Sequence, residues 1–355
     1  MKDFKVIGLM SGSSLDGVDI AYVNFSHDNR RWFFNIVEAG NVPYTSSWKE
    51  KLSSAFNKDA EELKQLDIEY GQYLGTITKR FINKYELAPK LIASHGHTIF
   101  HRPEEHYTLQ IGDGNEIANI TGITTINDFR SEDVKKGGQG APLVPIGDKH
   151  LFADYPICLN IGGIANISYD VDDKRLAYDI CMANQLLNYL ANKLGYDYDN
   201  NGNFARQGSV NEILLNKLND NAYYTQKAPK SLGREFFEDN QRYVIDNIDI
   251  DIKDIMATAT EYVAHQIAVA TNHLEKSKML ITGGGAKNNY LIERIEALCK
   301  HEIVIPDTTI IDYKEALIFA FLGVLKMEGK TNVLSSVTGA SSDSSSGNIC
   351  LPHLL

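Results

Sequence analysis

The sequence predicts an α/β protein built as two similar lobes, and three observations lead there. The chain has 355 residues, longer than a typical single domain. A β-rich run that meets a glycine-bearing turn and re-enters a second β-rich run occurs at residues 4–25, and recurs about 150 residues later at 156–170. A third extended run and helical patterns follow each pair, so one order of elements is written twice. The competing reading is a single large α/β domain whose tight turns are ordinary connections.

In the first half, FKVIGLM (4–10) and VDIAYVNF (18–25) are rich in β-branched and aromatic residues, and Ser11-Gly12-Ser13-Ser14-Leu15-Asp16-Gly17 joins them. WFFNIVE (32–38) completes an antiparallel meander. Amphipathic spacing predicts helices over 46–57 and 59–85, and LIAS (91–94) is a short strand. In the second half, PICLNI (156–161) leads through Gly162-Gly163 into IANISYD (164–170), and Asp172-Asp173-Lys174 turns the chain into RLAYDI (175–180). Asn184 reads as the N-cap of a helix that Gly195 ends. KMLIT (278–282) enters Gly283-Gly284-Gly285 and a helix begun through Asn288 or Asn289. Residues 257–275 have the apolar spacing of a core helix, and the serine-rich 341–346 reads as a loop.

Composition narrows the function classes. A hydrophobic fraction of 43%, with 23% charged residues, is that of a folded globular protein. The formal charge of -11 argues against a nucleic-acid partner, because affinity for phosphate backbones comes from clustered Lys and Arg. A small anionic ligand stays open, since backbone amides and a metal ion hold phosphates without a basic face. Cys158, Cys181, Cys299 and Cys350 lie far apart with no CxxC spacing, and read as reduced thiols. MKDFKVIGLMSG has no secretion-signal pattern, and no run approaches the roughly 18 apolar residues of a membrane span. The expectation is a cytoplasmic protein without membrane contact.

Five segments carry candidate chemistry. In SGSSLDG, Gly12 and Gly17 allow close backbone approach, Ser13 and Ser14 add donors, and Asp16 suits a hydrated magnesium ion. The string lacks the GK[ST] of a Walker A motif and also fits a plain hairpin turn. NIGGIAN supplies Asn160, Gly162, Gly163 and Asn166, with glycines that serve a bend or a close approach. TGGGAKN sets Gly283, Gly284, Gly285 and Asn288 between a strand and a helix, where adenosine or phosphate can dock, and it does not satisfy GxGxxG. SHGHTIFHRPEEHYTLQIGDGNEIA gathers His95, His97, His101 and His106 without HExxH or a cysteine partner, so hydrogen bonding to substrate or backbone is preferred to zinc, with Thr98 and Asp113 as hydroxyl-binding groups. Finally, Asp128, Asp179 and Glu315 read as carboxylates at strand ends or ahead of a helix. Asp179 precedes Asn184 by too much to be its cap, which favours a base over a structural acceptor.

Taken together and in order, IGLMSGSSLDGVD, SHGHT, HRP, TLQIGDGN, TGITTINDFR, GGQGAPLVP, LNIGGIANIS, PKSLGREFF, ITGGGAKN, EALIFAFL and SVTGAS resemble the family of 1,6-anhydro-N-acetylmuramic acid kinases over nearly the whole chain. That resemblance implies the actin and sugar-kinase superfamily: two related actin/ribonuclease-H-like lobes, with mixed sheets flanked by helices, around a nucleotide cleft. The expected lobes are residues 1–127 and 128–355. It implies ATP and magnesium as cofactors, a small amino sugar as substrate, and an enzyme that opens the 1,6-anhydro bridge and phosphorylates O6. On this resemblance Asp179 is the general base; residues 12–17 with Gly162 and Gly163 hold phosphates; residues 283–285 hold the adenosine side; His95, Thr98, Asp113, Arg130 and Glu315 contact the sugar; and Asp16 and Asp128 lie near the metal. Homodimerisation is an expectation carried by the family alone.

Three departures from the family pattern bear on specificity. Asp179-Ile180-Cys181-Met182-Ala183-Asn184 stands where DTGPGN is usual, and the bulk is expected to narrow the space beside the phosphates. His97 replaces a glutamine and Gly114 a proline. A kinase acting on another sugar, or a nucleotide-binding relative without chemistry, are the alternatives.

Overall fold

The computed structural model describes residues 2–12, 14–28 and 31–353. Thirteen strands lie among them: β1 (Lys2–Met10), β2 (Gly17–His27), β3 (Trp32–Pro43), β4 (Leu91–Ser94), β5 (His97–Arg102), β6 (Tyr107–Ile111), β7 (Thr125–Asn127), β8 (Ile157–Ile161), β9 (Ile164–Val171), β10 (Lys174–Met182), β11 (Lys278–Thr282), β12 (Glu302–Val304) and β13 (Asn348–Cys350). One sheet has the order β13-β7-β4-β1-β2-β3 and the other β10-β9-β8-β11-β12. In each, an antiparallel meander of three strands is extended by two parallel ones, β4 and β7 in the first and β11 and β12 in the second. This is the ribonuclease-H-like order, present twice. The duplication read from the strand–glycine–strand repeat is therefore real, and a single undivided sheet is excluded.

The chain forms two compact units, Met1–Leu151 with Tyr313–Leu355, and Phe152–Asp312. The division thus differs from the 127/128 boundary expected from the sequence. Two contacts explain the return of the C-terminal segment to the first unit. β13 pairs antiparallel with β7. The helix Thr308–Met327 also lies directly on the first sheet, so close that a Cβ on Gly8 would stand 1.9 Å from the Ala316 carbonyl oxygen and one on Gly323 would stand 2.7 Å from the Ala93 Cβ. Neither pairing is visible in local sequence pattern.

Each unit has its own core. Tyr70, Leu74, Ile7, Leu9 and Ile92 are buried in the first, where the helix Ala60–Lys84 carries an N-terminal capping box of Asp59 and Glu62. In the second, the helix Ile252–Thr271, capped by Asp251, buries Tyr262, Val263 and Ile267 against β8–β10 and β11 residues. The expected strands match to within a few residues. Three readings are corrected. The β5–β6 hairpin was not foreseen, because His97, His101 and Arg102 mask its alternation. Asn184 is the first helical residue of Asn184–Lys193, not its cap, and its side chain donates to the Ile161 carbonyl at 3.1 Å. Glu315 lies within the helix Thr308–Met327 and not ahead of it. All four cysteines are free, and no helix among the described residues is long and apolar enough to cross a membrane.

Because the Gly8 site has no room for a methyl group, Gly8→Ala is expected to destabilise the protein by about 3 kcal/mol or to prevent folding. A chemical-denaturation midpoint equal to that of the unmodified protein would contradict this packing.

Candidate active site

In the second unit, strand register builds a polar row. Asn160 of β8 faces Asn166 of β9, and Asn166 faces Asp179 of β10. Directly opposed residues share a face, so these three side chains lie on one side of the sheet. Beyond Asp179 the register shifts by a bulge, and Cys181 pairs with Ala165. The bulge changes what alternation would give: Asp179 keeps partial exposure while Cys181 turns into the core. Ile180, Met182 and Ala183 are buried with it. The bulky substitutes for the family's glycines and proline thus fill the core, contrary to the expectation that they narrow the phosphate side.

Asp179 Oδ2 accepts a hydrogen bond from the Leu232 N–H at 2.9 Å. Burial raises its carboxyl above the ordinary range, and the Leu232 donor opposes that shift. Beside it, the Gly162-Gly163 turn is clamped onto the start of the helix Asn184–Lys193: the N–H groups of Ala183 and Gln185 donate to the Gly163 carbonyl and that of Asn184 to the Gly162 carbonyl, at 2.9, 3.1 and 3.0 Å. Gly283, at φ 81°, crosses the end of β8, where a Cβ would stand 2.7 Å from Asn160 Oδ1 and the Ile161 carbonyl; one on Gly285 would stand 2.3 Å from Ile161 Cγ2. These two glycines serve the fold. Gly162, Gly163 and Gly284 do not: a Cβ at each would meet nothing nearer than 3.5, 3.8 and 3.5 Å, and none adopts the left-handed region. In the first unit Gly12 is equally open, with its nearest neighbour at 3.8 Å.

Around the first unit's β1–β2 turn the polar groups are wired inward. Ser11 Oγ hydrogen-bonds His97 Nδ1 at 2.8 Å and Tyr44 Oη at 2.6 Å, and Tyr44 Oη in turn bonds Tyr70 Oη. Burial pushes the Tyr44 phenol up to about 12 and the His97 imidazole down to about 4. His95 is buried, its Nδ1 on the Gly96 carbonyl and its Nε2 accepting from Arg130 Nε at 3.1 Å, with Arg130 Nη2 at 2.9 Å. Burial, followed by the Arg130 charge, holds His95 well below the usual histidine range, so it is a neutral acceptor that orients a cation. Burial lowers Arg130 to about 10 against the pull of Glu315. Arg130 Nη1 also donates to the Gly140 carbonyl at 2.6 Å. The Gly140 N–H is fixed by Asp133 Oδ2 at 2.8 Å, and Thr338 Oγ1 donates to Asp133 Oδ1 at 2.8 Å. The strings GGQG and SVTG thus meet as a support for Arg130.

The sequence-derived residues divide accordingly. Asn160, Asn166, Gly162, Gly163, Gly283, Gly284 and Asp179 converge in the second unit. Asn288 caps the helix Asn289–Leu298, accepting from the Leu291 N–H at 3.1 Å. In the first unit His95, Arg130 and Glu315 form one electrostatic group, in which protein crowding raises Glu315 and Arg130 lowers it. Asp113 is occupied as an N-cap, accepting from the Asn115 N–H at 2.7 Å, and His95 spends both ring nitrogens on protein partners. Thr98 is partly buried and accepts from Gln110 Nε2 at 3.4 Å. Asp16 is exposed, while Asp128, in left-handed backbone at φ 55°, accepts from the Ser131 N–H at 3.2 Å. Ser13 lies outside the described residues. Tyr223, Lys230 and Leu232, which bind the Asp179 backbone or carboxyl, were not singled out from the sequence; PKSLGREFF, already conspicuous as a string, was the available signal for Lys230 and Leu232, and Tyr223 lies ahead of it without one.

A ribonuclease-H-like unit present twice, with open glycine turns and a half-buried carboxyl on a bulged edge strand, is the architecture of the actin and sugar-kinase class, and this chain is a member of that class. The anhydro-N-acetylmuramic acid kinase family model matches residues 4–352. Proteins named anhydro-N-acetylmuramic acid kinase from Vibrio parahaemolyticus and Pasteurella multocida are each 36% identical to it, the first over 94% of this chain and 95% of its own, the second over 97% and 96%. A Coxiella burnetii protein of the same name is 34% identical over 95% of this chain and 94% of its own. The chain belongs to the anhydro-N-acetylmuramic acid kinase family, a family of sugar kinases.

His97 gives a test of the buried relay. Its pKa is lowered on folding, so below pH 6.5 the unfolded chain takes up a proton that the native imidazole refuses until about pH 4. Stability should therefore fall as pH drops through that window, by about 1.4 kcal/mol per pH unit for this histidine, with His95 acting in the same direction. His97→Gln should flatten the urea-midpoint profile between pH 6.5 and 4 by that share; an unchanged profile would show that His97 is not buried neutral.

Proposed function

We propose that the protein uses ATP and water to convert a 1,6-anhydro-N-acetylmuramic acid into N-acetylmuramic acid 6-phosphate, with Asp179 as the general base. The observation that carries this reading is Asp179 itself: a carboxyl aligned with Asn160 and Asn166, partly exposed, raised by burial, and held by a single backbone donor. Such a group can take a proton near neutral pH while keeping a fixed orientation. Water attacks the anomeric carbon as Asp179 removes its proton, and the bond from that carbon to O6 breaks. The freed O6 takes the γ-phosphoryl group, ADP leaves, and the proton passes to solvent. Phosphoryl transfer asks mainly for positioning and charge neutralisation, so no covalent nucleophile is required.

The open glycines support the nucleotide part. Gly12, Gly162, Gly163 and Gly284 have room for a side chain and no conformational need to lack one, which suits a backbone that a phosphate must approach. On this reading the 12–17 turn of the first unit and the Gly162-Gly163 turn of the second are phosphate-facing segments, with Gly283–Gly285 and Asn288 on the adenosine side. Arg130, Glu315 and Thr98 are the sugar-facing groups; His95 supports Arg130 and Asp113 supports its own helix. Among the described residues no three His, Cys, Asp or Glu side chains gather to hold a metal. Asp16 and Asp128 are the carboxylates proposed for magnesium, which binds chiefly phosphate oxygens and water with one or two carboxylates. Bound magnesium would supply neutralisation of the phosphate charge. The free cysteines support a cytoplasmic setting.

Asp179→Asn should lower sugar-dependent ADP formation by roughly a thousandfold with little change in ATP affinity. The variant should fold at least as stably at pH 7, because a carboxyl whose pKa folding raises is least favourable when ionised, a cost that declines as pH falls below the raised pKa and is gone only below the ordinary carboxylate value. Turnover within tenfold of the parent would exclude the base role. Gly162→Ala should fold normally, as its open site permits, while weakening ATP binding roughly ten- to hundredfold; unchanged nucleotide affinity by calorimetry would remove this turn from the phosphate site.

A further inference from the structure

Strand β10 is the edge of its sheet, with β9 on one side and, among the described residues, no strand on the other. An edge residue at a bulge leaves backbone N–H and C=O groups to be satisfied by something other than a ladder. At Asp179 that partner is residues 223–232. Tyr223 Oη donates to the Asp179 carbonyl at 2.5 Å, and the Asp179 N–H donates to the Lys230 carbonyl at 3.2 Å. The Leu232 N–H donates to the Asp179 carboxylate at 2.9 Å. One short segment therefore holds the backbone and the side chain of the same residue.

The segment is closed on itself. Lys230 Nζ donates to the Tyr223 carbonyl at 2.9 Å and the Tyr224 carbonyl at 3.4 Å, and its ammonium stands 4.4 Å from the Tyr223 ring centroid. Tyr223 is buried, its N–H bonded to Asn221 Oδ1 at 2.9 Å and its ring packed on Phe236. A cavity of about 270 Å³, lined by Tyr178, Tyr224, Ala228 and Lys230 among others, lies against the same segment. It gives a loosened strap room to shift.

We propose that Tyr223 and Lys230 are positioning residues, forming a strap that sets both the direction and the proton affinity of the Asp179 carboxyl. The proposal rests on the reading of Asp179 as the base. Leu232 is the only hydrogen-bond donor to this carboxylate among the described residues, and it favours the ionised form. When the strap slackens, that donor is lost and the carboxyl titrates at higher pH. The other titratable groups that feel Asp179 are the Tyr223 phenol and the Cys181 thiol, both pushed up by burial, and Lys230 is coupled to that thiol. Neither phenol nor thiol ionises near neutrality, so a movement of the acid limb caused by a change in the strap reports on Asp179.

The test uses the full-length enzyme and two variants, Tyr223→Phe and Lys230→Met. Steady-state kinetics should show kcat lowered roughly ten- to hundredfold, with KM for ATP within twofold and the acid limb of kcat moved to higher pH by half a unit or more. Carbon-13 NMR titration of the Asp179 carboxyl, assigned through Asp179→Asn, should show the same upward shift without reference to turnover. A carboxyl pKa unchanged in both folded variants would overturn the strap, as would a kcat loss that merely follows the folded fraction with the acid limb unmoved. If Asp179→Asn keeps its turnover, the base reading fails, and the NMR titration still decides whether the strap tunes the carboxyl.

Discussion

The bulge between Asp179 and Cys181 is the constraint on which the second unit's chemistry depends. A regular strand would put both residues on one face and would send either the carboxyl into the core or the thiol toward solvent. With one extra residue, Cys181, Met182 and Ala183 join the buried cluster around Tyr262 while Asp179 stays in line with Asn166 and Asn160. On the open side of this edge strand, residues 223–232 bind the Asp179 backbone N–H and carbonyl. Core packing and the placing of the carboxyl thus share one local cause.

Glycine in this chain has two distinct physical meanings. At Gly8, Gly283 and Gly285 a methyl group would collide with backbone or core atoms, so the residue belongs to the fold. At Gly12, Gly162, Gly163 and Gly284 the space is empty and the backbone ordinary, and the missing side chain has no internal explanation. The first unit adds a buried neutral histidine beneath a guanidinium. His95 accepts from Arg130, and Asp133 with Thr338 fixes the loop that accepts from it, so neutral acceptors hold the cation while Glu315 supplies the opposing charge.

Much of this was legible beforehand. The repeated strand–glycine–strand order foretold the doubled sheet, since β-branched runs and Gly-rich turns are local signals. Asn160, Asn166 and Asp179 were each singled out, but their alignment was not, because register depends on strand pairing and on a bulge with no local signature. Two lobes were expected, but the return of the C-terminal segment to the first was not, because β13 pairs with β7 across more than half of the chain. Asp113 and His95 look like ligand groups in sequence; a helix start and a half-buried arginine claim them instead. Those are tertiary facts, and the same limit hid Lys230 inside an otherwise conspicuous string and Tyr223 a few residues ahead of it.

The account stands on a proton leaving water at Asp179 as the anhydro ring opens. Its most direct measurement is the mass of the sugar product formed in oxygen-18 water with ATP, quenched before the anomeric oxygen can exchange. One labelled oxygen on the anomeric carbon, with an unlabelled phosphate on O6, is the expected product. A phosphorylated sugar that still carries its bridge, or label found in phosphate and not in the sugar, would contradict it.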